Sequence, residues 1–236
     1  MFSWMLFFTV IIAGAYAEDY CNLEICSIRE KPHTMCQYPS PQPSQECGNW
    51  KRMGLSDAER QEILNMHNKL RRKVAAGKET RGNPGPQRAA LNMPDLAWDD
   101  ELEMIAQRWA NQCIYEHDDN YGLCHDVDRF LVGQNLAVVD TSNENNRQFE
   151  ECTQQWIDEV NSFDRNDVYK LPENFDPTGH YTQMVSDTAN KIGCGKIVYD
   201  LPNNWKRLYC VCNYGASSES YPAGNVYGQP IYKTKE

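Results

Sequence analysis

No Asn-x-Ser/Thr triplet occurs in the 236 residues, so N-linked glycans are not expected. Past residue 17 no apolar stretch is long enough to span a bilayer. The chain has no His-Glu-x-x-His, no phosphate-binding loop and no glycine fingerprint, which removes the commonest signatures of metalloproteases, nucleotide hydrolases and dinucleotide enzymes. None of its serines sits in a nucleophile elbow. Positive charge is in deficit, with 23 Lys and Arg against 33 Asp and Glu and a net charge of −10. That balance argues against a nucleic-acid partner.

Cysteine, by contrast, is plentiful. Residues 1–17 are uncharged, apolar through Ile12, and end in Ala15-Tyr16-Ala17. This pattern predicts a secretory signal peptide; the other reading, a membrane anchor, is too short to span comfortably and has no stop-transfer signal. Ten cysteines in a secreted chain predict disulfides, with the pairing open from the sequence alone. Charge is also segregated. Residues 51–90 hold ten Lys/Arg against four Asp/Glu, and residues 95–176 hold five against twenty. Such a basic stretch meets heparin-like polymers or anionic lipid, or is a solvated helix face.

Residues 18–50 carry Cys21, Cys26, Cys36 and Cys47 among four prolines. They predict an extension stapled to the main domain, or else a small knot of their own, since so short a stretch buries little core. Ser56-Asp57-Ala58-Glu59 is a capping box, and Ile63, Leu64, His67, Leu70 and Val74 follow at helical spacing until Gly77. His67 lies on that apolar stripe and reads as a core histidine bonded to nearby backbone. Arg81-Gly82-Asn83 lacks the terminal carboxylate of an integrin-binding tripeptide. A second helix is predicted over about Asp99–Cys113, a strand over 132–139 and a third helix over about Gln148–Phe163. A short helix follows over His180–Val185. Strands Ile192–Tyr199 and Trp205–Tyr214 then form a hairpin across Leu201-Pro202-Asn203-Asn204. The pattern suits an α+β domain with helices covering a small sheet.

Three motifs stand apart. The central one is Pro177-Thr178-Gly179-His180-Tyr181-Thr182-Gln183, in which Thr and Gln side chains can hold the imidazole in one tautomer. Upstream is Gly133-Gln134-Asn135-Leu136-Ala137; downstream are Cys212-Asn213-Tyr214-Gly215 and Pro222-Ala223-Gly224-Asn225. With His67-Asn68-Lys69-Leu70-Arg71, Leu96-Ala97-Trp98-Asp99, Trp109-Ala110-x-x-Cys113 and Gly228-Gln229-Pro230-Ile231-Tyr232, they occur in the order found in the CAP superfamily. The chain resembles that superfamily over nearly its whole secreted length, and within it the antigen 5 proteins of arthropod venom and saliva.

The resemblance implies a three-layer α–β–α sandwich with a central antiparallel sheet, preceded by a disulfide-stapled extension. The corresponding division is 1–17 signal peptide, 18–50 extension and 51–236 CAP domain. It implies pairing of Cys21 with Cys36, Cys26 with Cys124, Cys47 with Cys113, and Cys194 with Cys212. Cys152 and Cys210 are left over, and a fifth bridge between them is expected to tie helix to sheet. The resemblance places a cleft at His117, His180 and Glu159, with Gln134 standing where the family has an acid and Ser186 where it usually has Trp. His117 and His180 are the candidate ligands for a divalent ion such as zinc, although no cofactor is required; a zinc site takes three or four protein ligands, and Gln134 removes an ionisable one. The implied role is a secreted, allergen-like, non-enzymatic binder of a lipid, sterol or eicosanoid-like ligand or of host extracellular proteins, affecting haemostasis or inflammation. The alternative is a metal-dependent hydrolase using His117, His180 and Glu159. No cysteine follows Cys212, so the channel-blocking cysteine-rich module of related proteins is expected to be absent. The residues 216–221 are expected to form a surface excursion.

Overall fold

Residues 19–142, 148–174, 176–216 and 223–235 are described by the computed structural model. The expected signal peptide and most of the 216–221 excursion lie outside them. Ser56 caps the longest helix as its sequence requires. Its hydroxyl accepts from Glu59 N while the Glu59 carboxylate accepts from Ser56 N, a reciprocal pair that satisfies two orphan donors. Before it come two short helices, α1 (Glu24–Ile28) and α2 (Thr34–Gln37), in the extension, and the edge strand β1 (Trp50–Met53). The long helix is α3 (Asp57–Ala75), followed by a two-residue strand β2 (Ala97–Trp98) and by α4 (Asp100–Ala110), capped by Asp99. Strand β3 (Gly133–Thr141), helix α5 (Phe149–Asp158), helix α6 (Gly179–Met184) and the hairpin β4 (Ala189–Asp200) and β5 (Lys206–Ala216) complete the chain.

The sheet runs β1-β4-β5-β3, all antiparallel, with β2 added parallel to β4. The central antiparallel sheet is therefore as expected except for β2. Side chains alternate across it. On one face Leu136, Ile197, Tyr209 and Val211 meet Ala106 and Trp109 of α4. Helix α4 comes close because Gly193 and Gly195 lack side chains: a Cβ on Gly195 would stand 2.4 Å from Gln107 backbone. The opposite face sends Cys210 to Cys152 on α5 and Tyr214 to His67 on α3. The extension lies outside α4, held by Cys47–Cys113 and Cys26–Cys124, so helices enclose the sheet in three layers.

Five disulfides form: Cys21–Cys36, Cys26–Cys124, Cys47–Cys113, Cys152–Cys210 and Cys194–Cys212. These are the four pairs that the family resemblance implies and the fifth expected between the two remaining cysteines. His67 is fully buried, with Nδ1 on Ile63 O at 2.8 Å and Nε2 on Tyr214 Oη at 2.9 Å, the core role its position suggests.

Three expectations are corrected. The third helix does not run to Phe163; it ends at Asp158 and tightens into a 3-10 turn over Glu159–Asn161. Ala216 is no part of a loop, because it extends β5 and pairs with Ala189. Strands β1 and β2 add to the three strands that the pattern predicts. Both are short, and they are defined by distant partners on β4, Tyr199 for Trp50 and Lys191 for Ala97, rather than by a local pattern.

Candidate functional site: a polar cleft at the end of the edge strand

The first residues of β3 reach the rim of a cleft of about 390 Å³, and the loop carrying His117, the start of α6 and residues near Asn225 close around it. The three motifs thus converge. Gly133 permits this approach, since a Cβ there would lie 2.3 Å from Ala223 O. Gly224, at φ +119°, would likewise drive a Cβ to 1.9 Å from the Gln183 side chain. Gln183 ties the segments by donating to Ala223 O at 2.7 Å and accepting from Asn225 N at 3.3 Å.

His117 stands on the α4 side of β3. Its orientation follows from a chain of obligate roles. Asp118 is fully buried and its carboxylate only accepts: Thr34 Oγ1 donates to Oδ2 at 2.7 Å, and His125 Nδ1 and Gln134 Nε2 donate to Oδ1. Gln134 must therefore turn its amine toward Asp118 and Asn213, leaving Oε1 for His117 Nδ1 at 2.9 Å. His117 in turn donates from Nδ1, and its free nitrogen is Nε2. Burial pushes its pKa below the usual imidazole range, against the pull of the Gln134 bond. Burial acts the same way on His125, but the Asp118 carboxylate outweighs it and raises His125 to about 9.

His180 approaches from the other side of β3. The 3-10 turn after α5 swings Glu159 against the first turn of α6. One carboxylate oxygen of Glu159 accepts from His180 N and Tyr181 N, each at 2.9 Å, and the other takes His180 Nδ1 at 2.6 Å. Glu159 is thus an N-terminal cap for α6 and the anchor of the imidazole at once. The ring packs against Trp156, with centroids 6.1 Å apart and planes inclined by 28°. The tautomer is held by Glu159, and not by the Thr and Gln side chains of the motif as expected.

His117, His180 and Gln134 all line the cleft, and Glu159 supports His180 from behind. Ser186 does not line it. It is buried at the far end of α6, bonded to Thr188 Oγ1 at 2.8 Å, and its carbonyl accepts from the buried Arg71 guanidinium. Sequence reasoning missed Asp118 and His125, which sit in a loop without periodicity; the only signals were their nearness to His117 and Cys124.

Both imidazoles have the outer hydrogen-bond partner common among metal ligands. Two ligands fall short of the three or four of a zinc site, and no group of three His, Cys, Asp or Glu arranged for a metal occurs among the described residues. The donor set does not fit a resident zinc ion.

This architecture is that of the CAP proteins, and sequence comparison agrees. The signature of the cysteine-rich secretory protein family matches residues 64–214. The chain belongs to this family. It is 48% identical to a venom allergen 3 homolog of Dinoponera quadriceps over 242 aligned positions, covering all of both chains. It is 45% identical to venom allergen 3 of Solenopsis invicta, covering 99% of this chain and 97% of that one. Among solved structures, NaASP2 crystallised with Zn²⁺ superposes with a TM-score of 0.62 at 32% identity, over 78% of this chain and 89% of the other. The chain is a venom allergen-like CAP protein.

Proposed function

We propose that the protein is secreted, with residues 1–17 as its export signal, and that it acts outside the cell by binding rather than by catalysis. Residues 18–50 then serve as an extension that braces the domain. The cleft is the ligand site, and a small polar ligand is what it fits best. One observation carries this reading: among the described residues no nucleophile faces the two imidazoles, and the carboxylate behind His180 is already committed. Glu159 accepts three hydrogen bonds, Gln134 cannot ionise, and no hydroxyl, thiol or amine side chain is among the described residues lining the cleft. The apolar stripes Ile105 and Trp109 on α4 and Phe149 and Trp156 on α5 are filled core at 1% exposure or less. A lipid, sterol or eicosanoid-like ligand in those layers would displace packed side chains.

A second reading is a divalent guest ion on the free nitrogens of His117 and His180, supported by the zinc in the NaASP2 crystals. Native mass spectrometry of the disulfide-intact protein, with and without chelator, tests both. A polar small-molecule adduct that is lost in His180→Ala supports the first reading. A single divalent ion lost to chelator supports the second. Lipid-sized mass retained in His180→Ala moves the ligand away from the cleft. Hydrolysis of peptide or ester substrates that disappears in the same variant overturns the non-catalytic reading.

A further inference from the structure

The segregated charge seen in the sequence becomes a surface at the C-terminal end of α3. Residues 69–91 contain seven Lys/Arg and one Glu, and residues 231–235 add two Lys and no acid. These two segments carry +8 in a chain of net −10, so the rest carries −18. The fold brings them together. Residues 89–91 and 233–235 run antiparallel around an Ala90–Thr234 bridge, with Leu91 N donating to Lys233 O at 2.6 Å and Lys235 N to Ala89 O at 2.8 Å. Gly77 packs against them: a Cβ there would lie 3.3 Å from Ala89 Cβ. Lys235 Nζ reaches Ala75 O at 2.9 Å, capping an orphan carbonyl of α3.

Lys73, Lys78, Lys233 and Lys235 are therefore neighbours. Lys78, Lys233 and Lys235 are exposed, and none of these three makes an ion pair with another described residue. The surrounding carboxylates are otherwise engaged: Glu79 with Lys73 and Arg81, Asp95 with Arg72, Asp158 with Arg81, and Asp187 with Lys233 N. With the buried Arg71 left out, and Asp95, Asp158, Asp187 and Glu236, next in the chain, counted against it, the patch keeps +3.

We propose that this surface docks a linear sulfated polysaccharide. The patch is positive on an otherwise acidic molecule, which selects a polyanion and turns every other face away from it. Closely set lysines on a chain end and a helix end match repeated sulfate groups. A lipid surface is the poorer match. The large hydrophobics exposed there, Leu91 and Tyr169 beneath the Arg88 guanidinium, are two scattered side chains and not an apolar face, and Tyr232, the sole Trp or Tyr of the two segments, is buried. The inference does not depend on what the cleft binds.

The test is calorimetric titration of the disulfide-intact protein with a heparin-derived dodecasaccharide at several salt concentrations. The expected result is saturable binding at physiological ionic strength, with log K falling linearly against log salt. Removing two contacts in Lys78→Ala/Lys233→Ala should flatten that slope by about 1.4, on the scaling known for single-stranded polyanions. Affinity should fall about 25-fold, at about fivefold for each lysine. Lys51→Ala/Lys206→Ala, at the far end of the sheet, should change neither. Absence of dodecasaccharide binding overturns the proposal, as does equal loss in both double variants. So does preferential binding to phosphatidylserine vesicles in co-sedimentation, which would assign the patch to lipid.

Discussion

At the residue scale, three buried histidines set opposing pH limits. Burial lowers His67 and His33 each to about 4, so the native protein keeps them neutral. As pH falls through 6.5 the unfolded chain takes up protons that the native state refuses, and stability drops until about pH 4. Each group contributes up to ~3 kcal/mol of that loss. His125 works in the other direction. The buried Asp118 carboxylate raises it to about 9, so its stabilising pair is fully present below pH 6.5 and is lost as pH rises through 9. Urea unfolding from pH 4 to 9 should therefore show maximal stability near pH 6.5. His67→Gln should make the acid limb shallower, and Asp118→Asn should remove most of the alkaline limb. A flat profile in the parent protein would contradict both assignments.

At the element scale, Cys152–Cys210 is the only bridge among the described residues that joins a helix of one layer to the sheet; it closes a separation of 58 residues at the middle of α5. Replacing both cysteines with alanine should lower stability by about 2–4 kcal/mol, read as a reduced Tm, while the circular dichroism spectrum is retained. An unchanged Tm would show that core packing around Phe149 and Trp156 holds α5 without it. This bridge also marks how far the elements are legible in the sequence. Cysteines report themselves, and the helical spacing of Phe149, Cys152, Trp156 and Val160 is enough to put α5 on the core. What that periodicity does not show is that the helix stops at Asp158. Val160 stays buried through the 3-10 turn, so the apolar stripe continues while the backbone changes. That change is what delivers Glu159 to α6. His117, His180, Gln134 and Glu159 are recognisable from motifs. The Asp118–His125 pair that orients His117 is not, because its partners, Thr34 and Gln134, are a hundred residues apart in the chain. Ser186 is misplaced for a related reason: its role is set by Arg71, which holds the Pro94, Met184, Ser186 and Ala189 carbonyls together.

At the scale of the whole molecule, the extension is part of the cleft's support rather than an appendage. Its Thr34 hydroxyl holds Asp118, its Lys31 ammonium donates to Asp119 O, and its Arg29 guanidinium pairs with the buried Asp126 at 2.6 Å. Asp126 in turn accepts from Val132 N, the residue just before β3. Cys26–Cys124 fastens this set to the loop that bears His117. The loop has no helix or strand of its own across residues 114–130, so its order depends on these bonds and on one backbone bridge to the extension, where Cys124 N donates to Pro32 O at 2.9 Å and Thr34 N to Cys124 O at 2.8 Å. Removing the bridge in Cys26→Ala/Cys124→Ala should therefore raise hydrogen exchange in residues 114–132. Protection of β4 and β5, paired along their full lengths in the core, should stay at the parent level. Since His117 is oriented through Asp118 and Gln134, the same variant should weaken any cleft ligand without touching a cleft residue. Uniform loss of protection across the molecule would mean instead that the extension stabilises the whole fold, and an unchanged loop would mean that its polar contacts suffice without the disulfide.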